Sequence, residues 1–96
     1  MEIESIRTFY QVAQYKSFQK ASESLMLTQS GVSRRIQSLE NELGVTLFHR
    51  TSQSVSLTKY GNAFLHYAKR IIQVYSDGVE ALKKTPQESI SIAIPF

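Results

Sequence analysis

The sequence predicts a mainly α-helical fold, in which three short helices and a two-stranded β-hairpin form one domain and a long fourth helix leaves it. Three observations predict this fold. Apolar residues recur at helical spacing in three segments before residue 44, they alternate with polar residues near residue 55, and helical spacing returns after residue 58. With 96 residues, of which 42% are hydrophobic, the chain can bury one modest core.

The first three helices are delimited by residues that commonly begin and end helices. Helical spacing over residues 2–15 predicts the first helix, and Ser17 can cap the second, which is short. Thr28 is the candidate N-cap of a third helix that reaches Leu43. Gly44 then stands in the position just beyond a helix end that glycine commonly occupies.

The second and third helices are separated by a turn of only about three residues, which is typical of a helix-turn-helix. We therefore expect this motif at about residues 18–37. Beyond it, residues 47–48 and then Val55 and Leu57 alternate with polar residues, which predicts a small β-hairpin, the wing. Together these elements predict a winged helix-turn-helix domain over residues 1–58.

A long helix is predicted over residues 59–86, with Thr58 as its cap and Pro86 near its end. From Lys59 to Lys84 it would extend roughly 39 Å, which is too long for a small domain to cover. We expect its apolar stripe to pair two subunits through five residues: Tyr60, Phe64, Tyr67, Ile71 and Tyr75.

The last segment, residues 87–96, places alternating isoleucines on one face of a strand that has no visible partner strand. We interpret it as the first strand of a second, truncated domain.

Several function classes are disfavoured by composition. The chain has no cysteine, and His49 and His66 are too far apart to suggest a metal motif. Neither histidine has a recognisable nucleophile and orienting carboxylate arranged around it, so we predict no enzyme and no cofactor in this fragment. The chain shows neither a signal peptide nor a run of about 18 apolar residues, so we expect a cytoplasmic protein without a membrane partner.

The charge of the chain favours an anionic partner only through its placement. The net charge is +3 and the sequence pI is near 9.3. Residues 1–58, however, hold six Lys and Arg against five Asp and Glu, a net charge of only +1. The argument for a nucleic-acid partner therefore depends on where the charges lie.

The third helix has two distinct faces at 100° per residue. Its apolar stripe consists of Val32, Ile36, Leu39 and Leu43. The opposite face is formed by Ser30, Ser33, Arg34, Gln37 and Asn41. Such donors and acceptors read base edges in the major groove of DNA. The alternative is the solvated polar face that most amphipathic helices have.

The sequence resembles the LysR-type transcriptional regulators in the order and spacing of several segments. These are Ile6-Arg7-Thr8-Phe9, Ser17-Phe18-Gln19-Lys20-Ala21, Thr28 to Ile36, Leu39 to Thr51, and Leu57-Thr58-Lys59-Tyr60-Gly61. The resemblance implies a winged helix-turn-helix, a linker helix that pairs two subunits, and a carboxy-terminal domain, mostly absent here, that binds a small-molecule effector. It also implies DNA contacts, and with neighbouring polar residues the candidates are Lys20, Thr28, Gln29, Ser30, Ser33, Arg34, Gln37, Arg50 and Gln53.

Two departures from the family pattern affect these candidates. Ser30-Gly31 stands where the family often has Pro-Ala, and the wing lacks the extra arginines that many relatives place there. Alternatives also exist for the basic residues. Arg50 could pair with a carboxylate such as Glu42, Lys20 could be a solvated lysine, and Arg35 could be a flank phosphate contact or a salt-bridge partner.

The sequence thus predicts a sequence-specific, DNA-binding transcription regulator of LysR type. It would bind double-stranded DNA as a homodimer with the third helix in the major groove, and the full-length protein would form a dimer or a tetramer. The alternative is a winged-helix protein-interaction or adaptor module that does not bind DNA. Salt-dependent binding to duplex DNA separates the two.

Overall fold

The computed structural model describes residues 1–86, which form four helices and one two-stranded sheet. The helices are α1 (Ile3–Tyr15), α2 (Phe18–Leu25), α3 (Gln29–Leu43) and α4 (Lys59–Lys83), and the strands are β1 (Phe48–Arg50) and β2 (Val55–Leu57). This order is the predicted winged helix-turn-helix followed by a long helix. The strand predicted within residues 87–96 lies outside the described residues.

All three predicted N-caps are confirmed. The hydroxyl oxygens of Ser17, Thr28 and Thr58 each accept a hydrogen bond, at 3.0 Å, from the backbone N–H three residues further on. Each bond satisfies one of the N–H groups that the first turn of a helix leaves without an intrahelical partner.

The ends of the first three helices use the left-handed backbone conformation. Gly44 ends α3 with a φ of 74°, as its position in the sequence predicts. Lys16 ends α1 with a φ of 53°, and Met26 ends α2 with a φ of 58°. Residues with a Cβ rarely adopt this conformation, so these two turns are less favourable than glycine turns would be.

The wing is an antiparallel hairpin in which Phe48 pairs with Leu57 and Arg50 pairs with Val55. Its loop is closed by Thr51, whose N–H donates to the Ser54 carbonyl at 2.9 Å and whose hydroxyl accepts from the Ser54 N–H at 2.9 Å. The loop therefore has a defined shape despite its exposure to solvent.

Aromatic rings form the centre of the core. The Phe9 ring lies 5.3 Å from both the Phe48 ring and the Phe64 ring, between centroids, so it joins α1 to the wing and to α4. Three residues of the predicted α3 stripe, Val32, Ile36 and Leu39, are buried against this cluster, and Leu43 is partly buried beside them. Such tilted ring pairs add about 0.5–1.5 kcal/mol each beyond the area that they bury.

The start of α4 is held against the segment that precedes the wing. The Thr58 hydroxyl donates to the Thr46 carbonyl at 2.6 Å, and the Thr58 N–H donates to the Leu47 carbonyl at 3.0 Å. Core packing along α4 continues through Ala68 and Ile72. The winged domain therefore includes the first turns of α4, although the helix itself begins at Lys59 as predicted.

Candidate nucleic-acid interface

The amino-terminal half of α3 is open to solvent on its polar face. Gln29, Ser30, Arg34 and Gln37 are exposed, and Ser33 is half-buried. Its first turn keeps an intact cap through Thr28 despite the glycine at position 31. These predicted recognition residues are therefore presented on a rigid helix that the apolar stripe anchors to the core.

A groove separates the start of α3 from the wing. This wing groove has a volume of about 450 Å³ and is lined by residues 16–19, by Gln29 and Ser33 of α3, and by residues 50–55. Within residues 1–86, its lining includes two cations and no carboxylate. The groove therefore presents hydroxyls, amides and positive charge to a polyanion without a repelling group.

Arg50 stands at the wing groove in a defined position. Its guanidinium lies over the Phe18 ring at 4.0 Å from the centroid, and the Phe18 ring meets the Phe48 ring edge-on at 5.8 Å. Stacking of this kind is worth about 0.5–1 kcal/mol at an exposed site and leaves the N–H groups at the guanidinium edge free to donate.

The structure does not support the alternative pairing of Arg50 with Glu42. The Glu42 carboxylate instead forms an ion pair with the Met1 amino group at 2.8 Å. The hydrogen bond that this amino group donates to Glu42, together with the negative charge of Glu42, raises the pKa of the amino group above its usual range. This ion pair links the start of the chain to the carboxy-terminal half of α3.

Arg34 lies on the other side of α3 from the wing groove. It lines a second groove of about 850 Å³, together with Arg35 and the first residues of the chain. Carboxylates also line this groove, including Glu2 and Glu4. The polar face of α3, predicted as one surface, is therefore flanked by two grooves of different charge.

Two further residues have partners that limit their freedom. The Arg35 guanidinium donates to the Thr8 hydroxyl at 3.4 Å, a long hydrogen bond rather than the ion pair considered from the sequence. The Gln37 side chain donates to the Asn41 side chain at 3.1 Å.

Lys20 is exposed on α2 and lines neither groove, so its contact with DNA stays a prediction.

Glu40 is a positioning residue that sequence reasoning missed. Its Oε2 atom accepts hydrogen bonds from the Leu47 N–H at 2.7 Å and from the Phe48 N–H at 3.3 Å. Bonds from a backbone amide to a charged carboxylate are worth about 1.5–3 kcal/mol. Glu40 therefore ties the third helix to the first strand of the wing. Its sequence position, on the flank of α3, carries no local signal of this contact.

Residues 3–62 match the bacterial regulatory helix-turn-helix proteins of the lysR family. The chain belongs to the LysR family. The HTH-type transcriptional regulator CfxR of Cupriavidus necator is 36% identical over 97 aligned residues, which cover 98% of this chain and 31% of CfxR. The chain spans about a third of the length of the curated relatives that it matches.

Solved structures of LysR-family proteins share this fold. The BenM_DBD chain in the complex with catB site 1 DNA aligns with this chain at a TM-score of 0.84 and 37% identity. The alignment covers 88% of this chain and 94% of the BenM_DBD chain. Full-length CbnR in complex with its target DNA aligns with this chain at a TM-score of 0.82 and 31% identity. The alignment covers 86% of this chain and 29% of CbnR.

The predicted pairing stripe of this LysR-family chain is mostly exposed. Tyr60, Tyr67, Ile71 and Tyr75 are open to solvent, whereas Phe64 is half-buried because its ring packs on Phe9. Further along α4, the large exposed apolar side chains are those of Val74, Val79 and Leu82. The distal half of α4 therefore presents an apolar surface that no other part of residues 1–86 covers.

Within residues 1–86, no three His, Cys, Asp or Glu residues are grouped to hold a metal ion. None of the described helices combines the length and apolar character needed to cross a membrane. His49 and His66 are both exposed.

Proposed function

We propose that this chain is the sequence-specific DNA-binding module of a transcription regulator, with α3 in the major groove. One observation carries the proposal. The exposed polar start of α3 stands beside a groove in which Arg50 is fixed and which, among residues 1–86, no carboxylate lines. Major-groove readers present side-chain donors and acceptors near a helix amino terminus, with basic side chains on the flanking phosphates.

Base contacts are assigned to the exposed first turns of α3. Gln29, Ser30 and Ser33 offer the hydrogen-bonding groups that suit base edges, and Arg34 suits the two acceptors of guanine. Gln37 can join them if it exchanges its bond with Asn41. The DNA complexes of LysR-family relatives with TM-scores of 0.82 and above support DNA binding by this fold.

Phosphate contacts are assigned to the residues around the reading helix. Lys20 carries a flexible ammonium on the exposed side of α2, and Arg50 and Gln53 lie at the wing groove. Thr28 contributes by capping α3, and its exposed side chain also offers a hydroxyl group. Contacts to phosphate fix the register of a protein on DNA without reading the sequence directly.

We also propose that the chain dimerises through α4. Val74, Val79 and Leu82 on its distal half have exposed fractions of 68%, 39% and 74%. Exposed apolar side chains along one helix gain stability when a second copy covers them. A symmetric dimer would present one copy of α3 to each of two DNA half-sites, and the spacing between the two copies would depend on the direction of α4.

The proposed role is binding rather than catalysis. Within residues 1–86, no hydrogen bond or ion pair engages the exposed side chain of His49 or His66, and the relatives are transcriptional regulators. For the whole regulator, which in relatives is about three times as long as this chain, we propose a small-molecule effector site in the sequence that this chain does not include.

Selection of duplexes from a randomised library, followed by a salt titration of binding, tests this function. We expect enrichment of one sequence motif and an affinity that falls steeply as salt rises, because phosphate contacts release condensed counterions. Ser33→Ala should lower the affinity for the selected duplex more than the affinity for a random one. Absence of salt-dependent DNA binding would favour a protein-interaction module instead.

A further inference from the structure

We propose that Lys16, in the turn between α1 and α2, binds a DNA phosphate on the wing side of the interface. This inference rests on the proposed DNA-binding function and adds a residue that neither the sequence pattern nor the family resemblance points to. Three features carry it: the backbone conformation of Lys16, the groove that it lines, and the cation held on the same groove.

The backbone at Lys16 does not favour a lysine. Its φ of 53° and ψ of 36° lie in the left-handed region, where its N–H donates to the Val12 carbonyl at 2.8 Å and closes α1. A Cβ is unfavourable in this conformation, and glycine would close the helix at lower cost. The requirements of the turn therefore leave the side chain unexplained, and strained positions often accompany function.

The surroundings of Lys16 are those of an anion contact. Its side chain is exposed and lines the wing groove, where no described residue contributes a carboxylate. It also lines a neighbouring groove of about 310 Å³ together with Val55 and Leu57, so it stands against the second wing strand. Within residues 1–86, no ion pair engages its ammonium.

Lys16 and Arg50 form a pair of cations on one groove. The Phe18 ring, two residues after Lys16, holds the Arg50 guanidinium, so both cations lie at the same corner of the fold. The flexible lysine offers a point charge, and the stacked arginine offers a directed set of donors. A DNA backbone that follows the edge of the major groove beside α3 would meet both.

The experiment measures stability and DNA binding on Lys16→Gly in the full 96-residue chain. Binding of a labelled random-sequence duplex is followed by anisotropy between about 50 and 200 mM salt. Loss of one phosphate contact should lower the slope of log affinity against log salt by about 1 per subunit. Relief of the left-handed strain should raise the Tm on the order of 4 °C, so stability and affinity should move in opposite directions.

Three controls isolate the contact. Met26→Gly relieves the same backbone strain, at a side chain that is 91% exposed and uncharged, so it should raise the Tm and leave the slope unchanged. Lys84→Gln removes one positive charge at the far end of α4 and should also preserve the slope. Lys16→Arg keeps the charge and should retain the wild-type slope.

Two results would overturn the inference. A raised Tm with a wild-type slope in Lys16→Gly would make Lys16 a solvated lysine, and an equal loss of slope in Lys84→Gln would reduce the effect to net charge. Both leave the proposed DNA-binding function standing. Absence of salt-dependent binding in the wild-type chain would instead refute that function, and the Lys16 contact with it.

Discussion

Replacing Gly61 by alanine should destabilise the domain although alanine is the better helix former. A Cβ built at Gly61 would lie 2.2 Å from the Leu47 carbonyl oxygen and 2.8 Å from Cδ2 of Leu57. The first of these contacts is with backbone, so no side-chain rotation relieves it. The start of α4 would have to move away from the segment that leads into the wing.

The size of the effect follows from the bonds at this junction. Overpacking a buried site costs about 1–3 kcal/mol, and a backbone contact this close belongs at the upper end. Movement of α4 would also stretch the two hydrogen bonds from Thr58 to the carbonyls of Thr46 and Leu47, each worth about 1 kcal/mol. Alanine favours the helix over glycine by about 1 kcal/mol, which offsets part of this loss. The net loss is about 3–4 kcal/mol.

Thermal unfolding followed by circular dichroism measures this loss. A decrease of about 3 kcal/mol corresponds to at least about 12 °C in Tm for a domain of this size. Gly78→Ala is the matched control, because Gly78 lies in the same helix and, apart from its neighbours and the helix's own backbone, no atom of residues 1–86 lies within 4 Å of the added Cβ. It should gain about 1 kcal/mol. A Gly61→Ala variant as stable as the wild type would refute the packing argument.

Four other predictions concern binding, assembly and the wing. Ser33→Ala and Arg34→Ala should lower the affinity for a selected DNA site more than the affinity for random DNA, because only base contacts distinguish sequences. Equal losses of affinity in anisotropy titrations would instead assign both residues to positioning the protein on DNA. Lys20→Ala should weaken both DNAs about equally and flatten the salt slope by about 1 per subunit, and an unchanged slope in the folded variant would leave Lys20 a solvated lysine. Val74→Glu should convert the dimer to monomer in sedimentation without unfolding the domain, since Val74 is 68% exposed, whereas a wild-type chain that is monomeric at about tens of micromolar would contradict the dimer itself. Glu40→Ala should cost about 1–3 kcal/mol by leaving the Leu47 N–H without its acceptor, and Glu40→Gln, which keeps an acceptor oxygen, should lose less in urea unfolding.

The helices and their caps were determined by local sequence. Ser17, Thr28 and Thr58 each bond to an N–H three residues away, so the signal and its partner lie in the same short segment. The same holds for the apolar stripe of α3, whose spacing follows from the helical repeat. Such features need no knowledge of the rest of the fold, and all of them are confirmed.

The exact surface of the candidate interface was decided by tertiary structure. Arg50 stacks on Phe18 and Glu40 bonds to Leu47, and both pairings depend on how the wing packs beside the helices. Phe64, predicted within the pairing stripe, is half-buried because the Phe9 ring lies close to it in space, 55 positions away in the chain.

The division of the α3 polar face has the same origin. Helical spacing by itself placed Ser33 and Arg34 on one open surface. The wing and the first residues of the chain then border α3 on opposite sides, so one residue faces an uncompensated positive groove and the other a groove with mixed charges. Periodicity determines which residues of a helix point away from the core, whereas the charge that surrounds them depends on segments that only folding brings together.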